Sequence, residues 1–539
     1  MRYYFEKFFQ PVTGLALLTF VVTLVLGSCL PRREKSDLEI LQTVKNTASD
    51  KLSGKELSEL YCGACHMFPE PSLLDKEMWQ KKILPQMGAR MGIRDALDDP
   101  YEGMTMMDRM IVKKAGIFPE APYITDLQWD KIKIFYLSLA PEKLDPIKRG
   151  VAPSTGSGLF SLSLKTLNLP TGGLTTMVRQ NPYSKNIYVG DGRNTLAIVD
   201  NDFIVRKLID MPSPPLDIEF VSENEIMITC VGILHPNEQH QGSLLRMDTL
   251  GNIQTILPNL RRPVSTLAAD FNNDQKTDYL ISEYGNNVGE LVLYTDLGND
   301  QFQEHILRTS PGAIQSYVYD FNRDGLPDIL ALFAQGDEGF YKFINQGNNQ
   351  FSSEPIIRFP PVYGSSYFNM ADFNGDGFLD ILYIHGDNAD YTFILKPYHG
   401  VRIYLNDGKD NFEESYFYPM YGASYGEVHD FDEDGDEDIV VVSFFPDFDN
   451  NGKDNVIYLE NQSRAGLSFD AYSFPGSEEG RWIIVSKMDY DLDSDMDLML
   501  GSFTFSPAPT PMDMKKKWQF ANKHIGVLEN QLKGRDDIF

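Results

Sequence analysis

The chain has 539 residues, 42% hydrophobic and 12% aromatic, which is too long for one ordinary domain and rich enough to bury more than one core. It carries 77 Asp+Glu against 48 Lys+Arg, a formal net charge of −29, and such a surface repels a phosphate polyanion, so nucleic acid is excluded as a partner. Clustered carboxylates can also hold cations, and their placement along the chain decides between that and a solvated acidic face.

In chain order, Arg2 and Lys7 precede the apolar run VTGLALLTFVVTLVLGSC, which ends in small residues at Cys29. Residues 1–29 read as an export signal and not as a domain. The string Leu26-Gly27-Ser28-Cys29 resembles a bacterial lipobox. The resemblance implies cleavage before Cys29, lipidation of its thiol, and an exported lipoprotein held at a periplasmic or cell-surface membrane face. Residues 30–52 are charged and polar without a core pattern, and are expected to tether the next unit.

The next unit, 53–142, starts with a predicted helix, GKELSELY, that runs into Cys62-Gly63-Ala64-Cys65-His66. Two thiols three apart with a following histidine match the attachment pattern of a single covalent haem c: the sulfurs reach the two vinyl groups and His66 ligates the iron. A zinc site would need two further ligands, yet the other cysteines are Cys29 and Cys230, the latter in a predicted strand. A thioredoxin-like pair is expected to follow a strand and open a helix, the reverse of this order. The unit closes with ITDLQWDKIKIFYLSLAPEKL, whose Leu127, Ile132, Ile134, Phe135, Leu137 and Leu139 are read as the apolar face of a helix ending at Ala140-Pro141. The whole resembles a small class I cytochrome c domain, which implies a first and last helix crossed beside the haem. Met78, Met87, Met91, Met104, Met106, Met107 and Met110 lie between the motif and the last helix, most of them expected to pack in the core or haem pocket. The string MWQKKILPQMGARMG resembles one seen after CxxCH in exported cytochrome-plus-propeller proteins, which makes Met87 the chosen sixth ligand; Met91 and Met104 to Met107 stay open. Iron held by His66 and Met87 has no free position for substrate, so electron transfer is expected.

Residues 143–157 are Pro/Gly/Ser-rich and read as a linker. Beyond them an Asp-rich string recurs five times, with starts 50, 52, 58 and 59 residues apart, the period of a four-stranded propeller blade. Positions 1, 3, 5, 7 and 9 are Asp270, Asn272, Asp274, Lys276 and Asp278; Asp320, Asn322, Asp324, Leu326 and Asp328; Asp372, Asn374, Asp376, Phe378 and Asp380; Asp430, Asp432, Asp434, Asp436 and Asp438; and Asp489, Asp491, Asp493, Asp495 and Asp497. Side-chain oxygens at 1, 3, 5 and 9, with a backbone carbonyl at 7, suit a hard cation, so up to five Ca²⁺ are expected. Glycine at position 6 eases the turn in three copies, while Gln275 and Ser494 stand there in the first and last.

These D-x-[DN]-x-D-x-x-x-D strings and their flanking strands resemble the FG-GAP or VCBS repeat, which implies integrin-like blades with calcium in the first hairpin. Two earlier segments keep strand pairs without the acidic string, so 158–533 is expected to form a seven-bladed β-propeller, closed by a strand near residue 160, with 534–539 as a tail. The fold class is thus a small all-α cytochrome domain followed by an all-β propeller. Arg262, Ser265, Gln315, Tyr367, Tyr425, Glu427 and Arg481 are placed near the channel mouth, and the scattered histidines are read as structural. No catalytic residue is assigned. Three functions are consistent with these features: a membrane-anchored electron carrier whose propeller docks a redox partner or binds a glycan or protein; a dehydrogenase in which the propeller oxidises a sugar or alcohol; and an adhesion scaffold.

Overall fold

The computed structural model describes residues 50–94, 99–389, 392–450, 452–462, 466–505 and 510–533. The expected signal segment, Cys29, most of the first tether and the tail lie outside them.

Alternating apolar runs separated by Gly, Asn and Asp turns form seven antiparallel sheets, within 175–210, 215–260, 263–309, 313–358, 365–419, 423–473 and 482–530. First strands of neighbouring sheets meet around a central axis, and each sheet packs its apolar faces against the next, so this is a seven-bladed β-propeller. The expected closing strand is β2 (Phe160–Lys165), which pairs antiparallel with the last strand from Phe160↔Asn530 to Lys165↔Ile525. It serves as the outermost strand of blade 7 and ties the start of the ring to its end. In all seven blades the innermost strand slips register near its start, for example between Ser365 and Tyr367 and between Ala423 and Tyr425. A bulge repeated at the same height re-aims the following side chain.

Residues before the propeller form a helical cap: α1 (Gly54–Tyr61), α2 (Lys76–Met78) running through a π turn (Trp79–Ile83) into α3 (Leu84–Arg90), then α4 (Met106–Lys114) and α5 (Asp126–Leu139). Ser53 with Glu56, and Thr125 with Gln128, make reciprocal capping boxes that start α1 and α5. These two helices cross so closely at Gly54 that a Cβ there would lie 2.3 Å from the Lys131 carbonyl oxygen and 2.8 Å from Phe135 Cβ. The buried face of α5 differs from the expected one. Trp129, Ile132 and Tyr136 face the core with Leu57, Leu74 and Trp79, whereas Leu127, Ile134 and Leu139 are exposed. The buried set has spacings of three and four, which one helical face satisfies, and the expected set does not. Met106, Met107 and Met110 are likewise exposed, not core, because α4 spends its inner face on Asp108, against the propeller, and Val112, against Ala89, Tyr101 and Phe118.

The cap rests on loops joining second to third strands. Glu238 N donates to Asp108 Oδ1 (2.9 Å), Arg90 Nη2 to Asn287 Oδ1 (2.9 Å), and Tyr398 Oη to the Leu73 carbonyl (2.9 Å), while Val362, Ile394 and Tyr398 extend the cap's own core. In an antiparallel blade these loops lie at the end opposite the first-to-second-strand loops that carry the acidic strings. The stretch read as a linker is pinned as a strap. Ile147 N donates to Tyr421 Oη (2.8 Å), Arg149 binds Asp454 and the Pro419 carbonyl, and β1 (Ser154–Thr155) adds to blade 6 as a parallel fifth strand beside that blade's outermost strand (Phe469–Ser473).

Candidate functional site

Cys62 follows α1 directly, its amide donating to the Ser58 carbonyl (2.8 Å), so the helix delivers the motif at the edge of the cap core. Both motif thiols are free. Cys62 is half-buried beside the Tyr136 hydroxyl, and burial pushes its thiol up to about 11, the opposite of what a thiolate redox pair needs. His66 Nδ1 lies 2.9 Å from the Met67 carbonyl, an arrangement that protonates Nδ1 and leaves the Nε2 lone pair for a metal. Burial, the larger effect, lowers its pKa, against Asp337, which raises it. The imidazole is therefore neutral, as a ligand must be. Partly covered Tyr61, Phe68, Met87 and Met91 pack on the same core as Tyr136, whereas Met104 joins the separate group around Tyr101 and Phe118. Two free thiols, a neutral imidazole and adjoining apolar side chains with surface still to cover are a donor set and wall that fit a covalently held porphyrin.

The acidic strings adopt one geometry. In the first four, the position-5 amide donates to the side-chain oxygens of positions 1 and 3 at 2.9–3.2 Å, and the position-6 amide to the position-1 carboxylate at 2.8–3.0 Å. In the fifth, Asp493 N donates to Asp491 alone of this pair, at 3.3 Å. Nested turns of this type hold the oxygens of positions 1, 3 and 5 together. In the all-aspartate copies, carboxylate oxygens of Asp430, Asp432 and Asp434, and of Asp489, Asp491 and Asp493, lie within 4.8 Å of one another. Burial, then the neighbouring Asp434, pushes Asp432 up to about 6. In the first copy Lys276 Nζ lies 3.5 Å from Asp274 Oδ2 and partly neutralises the loop itself.

Position 9 has a different job. Asp278, Asp328, Asp380, Asp438 and Asp497 are fully buried. One oxygen of each accepts from the position-2 amide at 2.9–3.2 Å. The other accepts from the amide of Asp296, Asn345, Asn406, Asn461 or Asn530, at or near the end of the third strand, at 2.7–2.9 Å. These carboxylates join three strands of a blade. The signal for their partners was present in the recurring Ile344-Asn345, Leu405-Asn406, Glu460-Asn461 and Glu529-Asn530.

Of the expected channel-mouth residues, Tyr367, Tyr425 and Glu427 come together. Tyr367 and Tyr425 stack at 3.5 Å, and Arg179, which the sequence reading missed, donates to Tyr425 Oη (3.0 Å). Arg179 belongs to blade 1 and Tyr425 to blade 6, so this bond crosses the axis. Asp217 and Glu219 of blade 2 lie nearby, and burial followed by Asp217 pushes Glu219 up to about 8. Arg262 bonds to the loop carbonyls of Gly285 and Leu234, and Arg481 is buried against the Phe444 ring at 3.7 Å. The expectation that histidines are structural agrees with His385 and His399, fully buried in blade 5. Among the described residues no histidine joins a cluster of three or more His, Cys, Asp or Glu ligand atoms.

Residues 270–331 and 320–383 match the model of the FG-GAP-like repeat. No curated protein matches the chain. Among solved structures it is similar to the WD40 domain of Neurospora crassa Pan2, at 10% identity and a TM-score of 0.41, over 70% of this chain and 98% of that one; the strand order, not this likeness, establishes the blade count.

Proposed function

We propose that the chain is an exported, lipid-anchored c-type cytochrome that carries electrons, and that its calcium-holding propeller presents the helical cap to a redox partner and binds a glycan or protein ligand. The observation that supports this most directly is the motif at the end of α1, with free thiols at Cys62 and Cys65 and a neutral His66 beside partly covered apolar side chains. Cys62 and Cys65 would hold the porphyrin, and His66 Nε2 and Met87 would ligate its iron. Haem c, when bound, would supply one-electron chemistry. The protein's own part is positional: the Met67 carbonyl orients His66, Tyr136 fixes the Cys62 side, and the Arg90–Asn287 bond secures the cap to the propeller. The five acidic loops would each take one Ca²⁺ through positions 1, 3 and 5. Cys29 would carry the lipid; among the described residues no helix is long and apolar enough to cross a membrane.

The test is a reduced-minus-oxidised absorbance spectrum of the full chain produced with cytochrome maturation machinery. A c-type band is expected, and its loss in the Cys62→Ser, Cys65→Ser double variant with the propeller still folded. A chain that never gains the band, or keeps it without both thiols, refutes the haem reading. A band that grows with a sugar as sole reductant would instead favour the dehydrogenase.

A further inference from the structure

Blade 7 carries a helix between its second and third strands, α6 (Met512–Ala521), which therefore lies at the same end of the ring as the loops that bear the cap. Met514 and Trp518, four apart, are its buried face, and the Trp518 indole donates to the Glu478 carbonyl (3.1 Å). The helix ends where Asn522 N donates to the Trp518 carbonyl (3.0 Å), and Asn522 Oδ1 accepts from Gly172 N (2.7 Å), so α6 is fixed to the ring. The opposite stripe is Met512, Lys516 and Phe520, again four apart, with Met512 66% and Phe520 89% exposed. Lys515 and Lys517 flank it, which makes 515–517 the only run of three lysines in a chain of net charge −29. Opposing charge on or beside the helix comes from Asp513 and from Glu478, 3.6 Å from Lys517 Nζ. The cap helix α4 is built alike: Asp108 and Val112 face inward, and Met106, Met107, Met110, Lys113 and Lys114 are exposed on its other side.

We propose that α6, together with the outer face of α4, docks on an anionic lipid bilayer. Large apolar side chains beside lysines on one exposed helical stripe are the chemistry of an interfacial helix: Phe520 and Met512 enter the boundary between headgroups and acyl chains, and the lysine ammonium groups meet lipid phosphates. Three observations select a bilayer. The described chain starts at Asp50, whose carboxylate accepts from Gln128 Nε2 of α5 (2.8 Å), so the N-terminal segment leaves from the cap; residues 30–49 extend at most about 70 Å, which keeps Cys29 and the apolar run before it within reach of this end. The two lysine-bearing helices are neighbours around the ring, since α4 meets blade 2 at Glu238, α6 belongs to blade 7, and only blade 1, with a three-residue turn at 192–194, stands between them. Two such contacts one blade apart suit an extended surface. The acidic strings stand at the far end of the ring, where an anionic bilayer does not repel them. This inference rests on the membrane-anchored part of the proposed function and not on the haem, and it places the redox partner of the cap at the membrane surface.

The experiment attaches a nitroxide to the full chain through Phe520→Cys, Met110→Cys or, at the far end, Leu492→Cys, with the unsubstituted chain as blank. Accessibility of the label to oxygen and to a water-soluble nickel chelate is measured on vesicles of phosphatidylcholine, with and without phosphatidylglycerol. All three positions are exposed, so the melting temperature should hold. On the phosphatidylglycerol vesicles the labels at 520 and 110 are expected to gain oxygen and lose the chelate, and the label at 492 to stay as in solution. Lys516→Gln with Lys517→Gln should lower the ratio of immersed to water-exposed label at 520 about tenfold. The docking is overturned if the label at 520 stays water-exposed on these vesicles, if phosphatidylcholine alone immerses it equally, or if the lysine variant immerses as well as the parent; shielding by soluble polyglutamate and not by vesicles would assign the helix to an acidic protein instead. Intact mass reads the anchor separately: an unmodified Cys29 with an immersed label at 520 ends the anchor and supports the docking, and an acylated Cys29 with a water-exposed label does the reverse.

Discussion

Blades 1 and 2 and blades 3 to 7 have the same four-stranded topology, but they turn their first corner with different chemistry. In blade 1 the turn is organised by Asn181, whose side-chain oxygen accepts from Tyr183 N (2.9 Å) and Ser184 N (3.0 Å). In blade 2 only Glu223 and Asn224 separate the strands. Neither needs a cluster of carboxylates to close the corner. The gathered oxygens of positions 1, 3 and 5 in the later blades are therefore not a requirement of the fold, and the proposed Ca²⁺ would relieve their mutual repulsion. Position 9 belongs to the fold instead: it bonds the blade's strands together where blade 1 has the buried Ile187.

Chelation should separate the two groups most strongly. A site filled at one hundred times its Kd contributes about 2.7 kcal/mol, so removing calcium is expected to lower the melting temperature. Amide hydrogen exchange should accelerate in the five acidic loops and not at 181–186 or 223–224. An unchanged melting temperature would end the calcium reading; equal acceleration in all seven corners would end the contrast.

Within one blade, Asp380→Ala should cost several kcal/mol in either calcium state, because two buried amides lose their acceptor at about 1–3 kcal/mol each. Asp376→Ala should cost about 0.5 kcal/mol or less in chelator and remove the calcium-dependent increment of its loop. Denaturant titrations with and without calcium measure both, and identical profiles for the two variants would show that positions 5 and 9 share one role.

Acid enters through a third route. Burial, then Arg402, holds His385 well below the usual histidine range, and burial, then Lys396, does the same to His399. The unfolded chain therefore takes up protons that the folded chain refuses. Their stability contribution is complete above about pH 6.5 and falls as the pH drops below it, by up to about 1.4 kcal/mol per pH unit for each histidine. His385→Phe should flatten this slope in urea titrations between pH 7 and 5; an unaltered slope would assign the acid sensitivity elsewhere. The chelation comparison is cleanest above pH 7, where both rings are neutral in either state.

The smallest effect tests the turn itself. Ser494 occupies position 6 of the last loop at φ +75°, where Gly325, Gly377 and Gly435 stand in others. Ser494→Gly is expected to stabilise by about 0.5–1 kcal/mol, relief of left-handed strain outweighing the added freedom of the unfolded chain. Thermal melting of the variant checks it, and destabilisation would mean that the serine side chain bonds within the loop.

Much of this was legible because it is local or periodic. The blade period, the corner strings, the closing strand near Phe160 and the helix leading into Cys62 each follow from short patterns that specify backbone geometry on their own. The α5 face was misread because eight apolar or aromatic residues in fourteen can be drawn through more than one stripe, and only packing against Leu57 and Trp79 selects Trp129, Ile132 and Tyr136. The exposed methionines of α4 escaped for the same reason: Asp108 is a surface residue by type, and it became the inner face only because Glu238 of blade 2 sits opposite.

The sequence by itself determined the order and number of blades, the place of the acidic corners and the thiol–thiol–histidine spacing, since each is written within about ten residues and enforced by turn and ligand stereochemistry. Only the tertiary structure decided which aspartates bond to backbone rather than gather as oxygens, that Arg179 reaches Tyr425 across the axis, and that the strap, pinned by Arg149, walls a cavity with Tyr418. The first depends on strand pairing within a blade, with third-strand amides 17 to 33 residues away; the other two depend on partners hundreds of residues apart, which meet only when the ring closes and apolar burial fixes every blade against its neighbours.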